Sequence, residues 1–316
     1  MPATPTRREL LLGTAAALTA TVAKPAVAAE PKPATFGLCL NTSTVRNAEG
    51  KSRPLVELIA IASKAGYEAI EPWISEVEEY VKGGGALPDL KKRFADAGLA
   101  VPDAIGFAEW IVEDPARRKK GLEQAKRDMD LVQRIGGQRI AAPPVGATGG
   151  KPPEPTIDLL AAADRYRELW ELGRTMGVTP LVEVWGFSRT LKRLGETLLV
   201  AAESGVSGAA VLPDVYHLYK GGSDFAGLTL LAPAAIGIFH VNDYPSLERG
   251  KIGDADRVYP GDGVAPLAAI LKGLRAIGYA GFLSVELFNR GYWKLDPHVV
   301  ARTAREKLQA VLAKTA

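Results

Sequence analysis

Cysteine and histidine are both scarce in this chain of 316 residues. The single cysteine, Cys39, excludes an internal disulfide framework. Histidine occurs only at His217, His240 and His298. A site that needs many imidazole ligands is therefore disfavoured, and the two histidines that follow apolar runs, His217 and His240, become candidate functional residues.

The sequence also lacks a long apolar run beyond its N-terminus, so no later segment is predicted to cross a bilayer. The first 29 residues have the pattern of a twin-arginine export signal. Arg7 and Arg8 precede an apolar segment that extends to Val22, and residues 26–28 form a small-residue cleavage site. We therefore predict that residues 1–29 are removed, and that the mature chain is periplasmic or extracellular without a stable membrane span.

A strong charge of either sign is absent as well. The predicted signal holds Arg7, Arg8, Lys24 and Glu9, so 36 of the 39 basic and 35 of the 36 acidic residues remain after its removal. A nearly neutral chain has no electrostatic reason to bind nucleic acid or an anionic membrane. A small-molecule partner is expected instead.

From residue 33 onward, short β-type runs alternate with helical patterns about eight times. The strand candidates are Phe36–Leu40, Ala69–Trp73, Ala100–Ile105, Arg139–Ala142, Thr179–Val184, Gly208–Leu212, Ile236–Val241 and Gly281–Leu287. The helix candidates are Pro54–Ala65, Leu87–Ala97, Pro115–Ile135, Ile157–Met176, Leu191–Glu203, Pro266–Ile277 and Pro297–Ala313. Several of these helices are followed by glycine, a frequent helix-ending residue. Two longer segments, Trp73–Ala86 and Pro143–Pro155, are predicted to be surface loops or lids.

Eight β–α units in succession predict a parallel sheet, and eight is the number that closes into a (β/α)8 barrel. A doubly wound open sheet is the alternative, but it would normally carry a glycine-rich phosphate turn after its first strand. Residues 41–44, which follow the first strand candidate, contain no glycine. We therefore predict an α/β fold with a single (β/α)8 barrel domain over residues 30–316.

Charged or ionisable residues end the last four predicted strands. Glu183 lies near the end of the fifth, Asp214 follows the sixth, and His240 and Glu286 lie near the ends of the seventh and eighth. The carboxyl ends of barrel strands share one rim, and a buried carboxylate is costly unless it is paired or coordinated. We therefore predict that these four residues bind one divalent metal ion, although hydrogen-bonded core residues remain the alternative. Mn²⁺ suits this ligand set best, with Mg²⁺, Co²⁺ or Zn²⁺ as other candidates.

Five motifs carry a resemblance to a known family. They are VEVWG with Glu183, DVYH with Asp214 and His217, HVND with His240 and Asp243, RVYPGDG with Arg257, and SVELFNRGYW with Glu286. Their order resembles the sugar phosphate isomerase/epimerase family of xylose-isomerase-like barrels, which includes ketohexose 3-epimerases, 2-keto-myo-inositol isomerases and metal-dependent dehydratases. The closing segment is most similar to the keto-inositol isomerases. The resemblance implies that the four strand-end residues bind the metal ion and that His217 contacts substrate.

The implied activity is isomerisation or epimerisation of a keto-sugar or keto-cyclitol. A metal ion that chelates a ketone and its neighbouring hydroxyl acidifies the C–H bond between them and stabilises the resulting enediolate. Glu183 and Glu286, which enter from different strands, are the predicted acid/base pair. The same site could instead expel a hydroxyl, so a lyase or dehydratase is the alternative.

Four further residues are candidates for supporting roles. Glu71, near the end of the second predicted strand, is expected to contact substrate or to form a salt bridge. Arg257 is expected to reach a substrate oxygen or to be solvated, and Trp185 to form an apolar wall or to fill the rim. Asp243 is expected to orient His240 or another ring from behind.

Three other classes of protein are less consistent with these residues. A phosphodiesterase or abasic-site endonuclease would need several metal ions, many histidines and a basic surface. A metal-free glycoside hydrolase would use Glu183 and Glu286 but leave Asp214 and His240 without roles. A sugar-binding protein without turnover stays open. Barrels of this type often pair, so a homo-oligomer is also compatible with the sequence.

Overall fold

The computed structural model describes residues 35–149 and 156–315. The predicted export signal, residues 1–29, lies outside these ranges, as does the end of the predicted loop Pro143–Pro155. Among the helices of the described ranges, none is both long enough and apolar enough to cross a membrane.

The regular strands in the described ranges are short and all pair in parallel. They are β1 Gly37–Asn41, β2 Ala69–Glu71, β3 Arg139–Ala142, β4 Thr179–Glu183, β5 Ala210–Leu212, β6 Phe239–Val241 and β7 Phe282–Val285. One sheet has the order β2-β1-β7-β6, and the other has the order β3-β4-β5. Each strand lies within or beside a predicted strand.

The predicted third strand, Ala100–Ile105, fills the gap between β2 and β3 without being a regular strand. The amide of Ile70 donates to the carbonyl of Ala100 (2.9 Å), and the amide of Ala141 donates to the carbonyl of Ala104 (2.9 Å). Pro102 has no N–H to continue a ladder, so the prediction of a regular strand here is wrong. Its position in the barrel is nevertheless the predicted one.

The second gap, between β5 and β6, is closed by a few backbone contacts. The amide of Gly237 donates to the carbonyl of Val211, and the amide of His240 donates to the carbonyl of Pro213, each over 3.0 Å. Asp214 and His240 face each other across this seam as a parallel bridge. The two sheets and the irregular segment thus complete eight positions, which confirms the predicted (β/α)8 barrel.

The seven predicted helices surround the strands in the predicted order, together with two helices that were not predicted. In the described ranges they are α1 Leu55–Ala65, α2 Ile74–Lys82, α3 Leu87–Asp96, α4 Pro115–Arg134, α5 Leu159–Met176, α6 Leu194–Glu203, α7 Val215–Gly221, α8 Leu267–Ala276 and α9 Pro297–Ala313. Gly66 ends α1 with a φ of +81°, a left-handed conformation that glycine adopts without strain.

One predicted loop is mostly helix. Trp73–Ala86 contains α2, which begins where the backbone amide of Trp73 donates to the side chain of Glu76 (3.0 Å). Ile74 and Val77 are buried one turn apart on its inner face. The run of three glycines at residues 83–85 lies after the helix rather than defining a long loop, so the loop prediction is wrong for most of this segment.

The alternation of side chains along each strand determines which residues face the barrel interior. Side chains alternate across a strand, so residues two apart point to the same face. An interior apolar cluster is formed by Cys39, Ala69, Ile105, Ala141, Leu181, Ala210, Leu212 and Ile238. The layer two residues further along the chain is polar in five cases: Asn41, Glu71, Glu183, Asp214 and His240. This polar layer therefore lies directly above the interior apolar cluster, at the carboxyl end of the barrel.

Candidate active site

Three of the four predicted metal ligands converge at the barrel rim. Asp214, His240 and Glu286 are buried, and each offers one ligand atom that lies within 4.8 Å of the other two. His240 Nδ1 is 3.3 Å from Glu286 Oε2 and 3.8 Å from Asp214 Oδ2. This nitrogen makes no hydrogen bond with any described residue. A buried imidazole nitrogen that faces two carboxylates without a hydrogen bond fits a cation between them.

The other nitrogen of His240 faces Glu71, which is fully buried. His240 Nε2 lies 2.9 Å from Glu71 Oε1, while Glu71 Oε2 accepts hydrogen bonds from Asn41 (2.8 Å) and Ser284 (2.6 Å). Glu71 therefore pairs with the imidazole of His240 on the side away from the cavity. Of the two predicted alternatives, this is the salt bridge and not the substrate contact. Burial lowers the pKa of His240, but the charges of Glu71 and Glu286 outweigh this and raise it well above its ordinary value.

Asp214 is held by both of its carboxylate oxygens. Oδ1 accepts the backbone N–H of His217 (2.7 Å) and thereby caps α7, while Oδ2 accepts from Asn242 (2.9 Å) and from Arg257 (3.0 Å). Asn242 also accepts the backbone N–H of Tyr216 (2.9 Å). The first turn of α7 therefore fixes the position of the Asp214 carboxylate and the orientation of the His217 side chain.

Arg257 is buried rather than solvated. Its Nη1 contacts Asp214 Oδ2 (3.0 Å) and Glu286 Oε2 (2.8 Å), and its Nη2 contacts Asp254 Oδ1 (2.7 Å). Burial lowers the pKa of Arg257, but the neighbouring carboxylates, Asp214 first, raise it above its ordinary value. This cation neutralises the acidic cluster and also lines the cavity.

His217 presents a neutral imidazole to the cavity. Its Nδ1 accepts the backbone N–H of Gly186 (3.2 Å), so Nε2 carries the ring hydrogen. Burial, together with the charge of Arg257, lowers the pKa of His217 well below its ordinary value. Nε2 lies 3.1 Å from Arg257 Nη2, so two donors face the same corner, where a substrate oxygen could accept from both.

Glu183 lies in the cavity wall but outside the group of three. Its Oε2 is buried and has no hydrogen-bond partner among the described residues. Burial raises the pKa of Glu183 to about 8, aided by the charges of Glu286 and Asp214 and opposed by that of His240. Burial raises the pKa of Glu286, but His240 and Arg257 outweigh this effect and lower the pKa to about 2. The two glutamates of the predicted acid/base pair thus prefer opposite protonation states.

The structure places Asp243 away from the imidazole rings. Its carboxylate accepts backbone N–H groups of Tyr244 (2.8 Å), Gly261 (2.9 Å) and Ala265 (2.9 Å). Asp243 therefore anchors the segment that follows Arg257 and supports the position of that arginine. Within the described ranges, Asp243 forms no hydrogen bond with His240, in contrast to the prediction.

Above these residues is a cavity of about 150 Å³. Trp185 lines it, and so do four rings that were not predicted from the sequence: Trp73, Phe107, Phe187 and Phe288. Ring centroids are 5.0 Å apart for Trp73 and Phe107, and 6.2 Å for Phe107 and Trp185. Phe107 follows the interior residue Ile105 by two positions, so strand periodicity could have identified it. The cavity thus combines an ionisable floor with an aromatic wall.

Several known enzymes are similar to this chain in sequence. An inosose isomerase of Bacillus velezensis is 26% identical over 279 residues, covering 88% of this chain and 97% of the relative. An L-ribulose 3-epimerase of Mesorhizobium japonicum is 26% identical and covers 78% of this chain and 80% of its own. A 3-dehydroshikimate dehydratase of Pseudomonas aeruginosa is 25% identical over 76% of this chain, but over only 37% of its own length.

A solved structure shows the same fold. The crystal structure of IOLI protein with a binding zinc atom superposes with a TM-score of 0.79 and 24% identity, over 89% of this chain and 99% of that one. The family description Xylose isomerase-like TIM barrel matches residues 59–311, the greater part of the chain and all of the strand-end motifs. The chain therefore belongs to the xylose isomerase-like TIM barrel family.

Proposed function

We propose that this protein is a divalent-metal-dependent isomerase or epimerase of a keto-sugar or keto-cyclitol. The observation that carries the proposal is the convergence of Asp214, His240 and Glu286, with His240 Nδ1 directed at two carboxylates and free of hydrogen bonds within the described residues. Membership of the family and the names of the relatives, inosose isomerase and L-ribulose 3-epimerase, support the reaction class.

Asp214, His240 and Glu286 are the proposed ligands, with Glu183 as a fourth from the cavity wall. Two or three carboxylates with one imidazole fit Mn²⁺, and the zinc atom named for the related solved structure supports a divalent ion in general. When bound, such an ion would polarise a substrate carbonyl and acidify the adjacent C–H bond.

The two glutamates would move the proton. In the metal-free site Glu286 is ionised, whereas Glu183, with its pKa near 8, is protonated at neutral pH. Glu286 would accept a proton from substrate carbon, and Glu183, when it is not bound to the ion, would deliver one. Nε2–H of His217 and the guanidinium of Arg257 would donate to a substrate oxygen in the corner that they share. The aromatic wall would exclude water from the reacting carbons.

A lyase acting on a keto-sugar at the same site is the second candidate. The specific observation in its favour is the 3-dehydroshikimate dehydratase among the relatives. Loss of a hydroxyl would need the same base, Glu286, and an acid placed to protonate the leaving oxygen. Glu183 and His217 both lie in the cavity wall and could serve.

Deuterium exchange in heavy water separates these outcomes. Keto-sugars and 2-keto-inositols are incubated with the Mn²⁺-loaded protein, with a Glu286→Gln variant, and with a Glu203→Gln control on the exposed side of α6. An isomerase or epimerase incorporates deuterium at carbon without loss of hydroxyl, whereas a lyase yields an enone that absorbs ultraviolet light. Exchange that survives in Glu286→Gln would contradict the proposal.

Export is a separate proposal, based on residues 1–29 alone. If Arg7 and Arg8 direct the chain to the twin-arginine route, replacing both by lysine should retain the protein in the cytoplasm. Immunodetection in cell fractions of a bacterium that has this route provides the measurement. Unchanged export of the double variant would contradict the assignment.

A further inference from the structure

Arg46 lies beside the cavity, yet it belongs neither to the acidic cluster nor to the predicted site. It follows the 3₁₀ turn Thr42–Val45, which continues from β1. Its guanidinium carbon is 4.3 Å from the ring centroid of Trp73, 5.6 Å from that of Phe288 and 5.8 Å from that of Trp293. Trp73 and Phe288 line the cavity, so the arginine is packed against its aromatic wall.

Arg46 has no hydrogen-bond partner among the residues that the structure describes. Its Nε is buried without a partner, and no hydrogen bond or ion pair joins its guanidinium to any residue in the described ranges. Arg257, which itself lines the cavity, contacts three carboxylates instead. The charges of Glu76 and Glu286 act on Arg46, while burial lowers its pKa, but arginine remains a cation in proteins.

The surroundings of Arg46 leave one kind of partner. Aromatic rings stabilise a guanidinium through its face and leave the N–H groups at its edge free to donate in the plane. That edge fits carboxylate or phosphate oxygens, which it can bind with two parallel hydrogen bonds. Glu76 and Glu286 act on Arg46 through their charges but form no ion pair or hydrogen bond with it, and an oxyanion at its edge would add those direct contacts. Neutral hydroxyl groups would use the same donors without balancing the charge.

We propose that Arg46 binds an oxyanion carried by the substrate, so that the preferred keto-sugar is an acid or a phosphate ester. The inference rests on the proposed function for the position of the reacting carbonyl, at the floor of the cavity. The anion would lie at the aromatic side, beside Trp73 and Phe288, and would orient the sugar between Arg46 and the rim residues.

Binding can be measured without turnover. The chelator-treated protein is titrated by calorimetry at constant ionic strength with 5-keto-D-gluconate, D-fructose 6-phosphate and D-fructose. The wild type should bind at least one anionic probe more tightly than D-fructose, on the order of tenfold to a hundredfold. Whichever anion binds better identifies a carboxylate or a phosphate as the preferred group.

The variants test the residue itself. Arg46→Gln should abolish the preference for the anion. Arg46→Lys should retain only part of it, because lysine keeps the charge but cannot donate two parallel hydrogen bonds from a planar group. Arg290→Gln, at an exposed position two residues after Phe288, should keep the preference. Circular dichroism verifies that each variant is folded.

Two results would overturn the inference: wild-type affinities equal for all three probes or absent for all three, or a preference that persists in Arg46→Gln. Failure of the proposed function gives a different result. In that case no keto-sugar exchanges deuterium in the presence of Mn²⁺, while the anion preference and its dependence on Arg46 remain.

Discussion

At the scale of single residues, His240 connects the buried core to the rim through its two ring nitrogens. Nε2 lies against Glu71, and Nδ1 points at Glu286 and Asp214. A carboxylate that accepts the Nε2 hydrogen fixes the orientation of the ring, so a metal ion bound at Nδ1 would displace only the Nδ1 proton. Glu71 in turn is fixed by Asn41 and Ser284, so the ring has a defined orientation.

Replacing Glu71 should therefore weaken metal binding without touching a ligand. We expect Glu71→Gln to lower the affinity for Mn²⁺ or Co²⁺ about tenfold to a hundredfold, because a neutral amide is a weaker acceptor for the Nε2 hydrogen and does not increase the basicity of the ring as a carboxylate does. Competition with a chromophoric chelator gives the affinity. Glu68→Gln, exposed just before β2, is the matched control, and equal affinities for both variants would show that Glu71 only balances charge in the core.

The sequence predicted the positions of the rim residues better than their partners. Strand-end reasoning identified Asp214, His240 and Glu286 because barrel topology alone brings such ends together. It could not show that Arg257 ion-pairs with two of them, or that Asp243 turns toward backbone amides, since both depend on irregular segments after the strands. Arg46 carried no strand-end signal and was missed for the same reason.

Glu183 gives the metal-free protein a characteristic dependence of stability on pH. Its folded-state pKa, near 8, exceeds its ordinary value, so the native state retains a proton that the unfolded chain has already lost. Stability is then lost as pH rises from the unfolded pKa toward the folded one, with a slope of at most about 1.4 kcal/mol per pH unit.

Glu183→Gln should remove this contribution. In the presence of chelator, we expect the free energy of unfolding of the wild type to fall more steeply between pH 5.5 and pH 7.5 (roughly the window set by these pKa values) than that of the variant. Urea denaturation across this range measures both slopes. Glu203→Gln, which removes an exposed charge from α6, should follow the wild type. Parallel slopes for wild type and Glu183→Gln would contradict the raised pKa.

At the scale of elements, local signals predicted the helices well and failed where the backbone is irregular. The glycine after α1 and the apolar spacing gave helix positions within a few residues. The helix α2 was missed because the acids and three glycines of its segment resemble a loop, although Ile74 and Val77 have helical spacing. The segment Ala100–Ile105 was assigned as regular because its apolar residues outweighed Pro102.

Helix α4 contains a buried acid that its packing does not explain. Asp128 is buried, and its Oδ2 has no hydrogen-bond partner among the described residues. Burial, reinforced by the charge of Glu78 on α2, raises the pKa of Asp128 to about 6. The folded state therefore resists ionisation of this carboxyl, so stability falls as pH rises from the unfolded pKa of Asp128 to its folded pKa, and the full cost is present above about pH 6.

Asp128→Asn should stabilise the protein at neutral pH. The gain is expected to be on the order of 1 kcal/mol at pH 7.5 and to be nearly gone at about pH 3, where the carboxyl is protonated in both the folded and the unfolded state. Thermal unfolding at the two pH values measures it. Asp130→Asn, exposed on the same helix, should change stability by less than about 0.5 kcal/mol at either pH. A loss of stability in Asp128→Asn at pH 7.5 would show that the charge is needed.

At the scale of the whole molecule, the proposed metal ligands lie on both sides of the seam between β5 and β6, where no regular ladder forms in the described barrel wall. The β5 and β6 strands meet only through isolated bridges, Val211 with Ile236 and Asp214 with His240. Asp214 belongs to one sheet side and His240 to the other, while Glu286 extends from β7, the neighbour of β6. A cation held by these three residues would join the two sheets in addition to serving the reaction.

Metal binding should therefore raise the thermal stability of the entire domain, because a ligand that binds only the folded state stabilises it by mass action. At a Mn²⁺ concentration about one hundred times the dissociation constant, the expected gain is about 2.7 kcal/mol, or a rise in Tm on the order of 5–10 °C. Calorimetry of the chelated and the Mn²⁺-loaded protein measures this rise. His240→Ala should abolish it, whereas His298→Ala, at the start of α9 and far along the chain from the seam, should preserve it. A Tm that does not respond to Mn²⁺ in the wild type, or that rises equally in His240→Ala, would show that the three rim residues do not hold a metal ion.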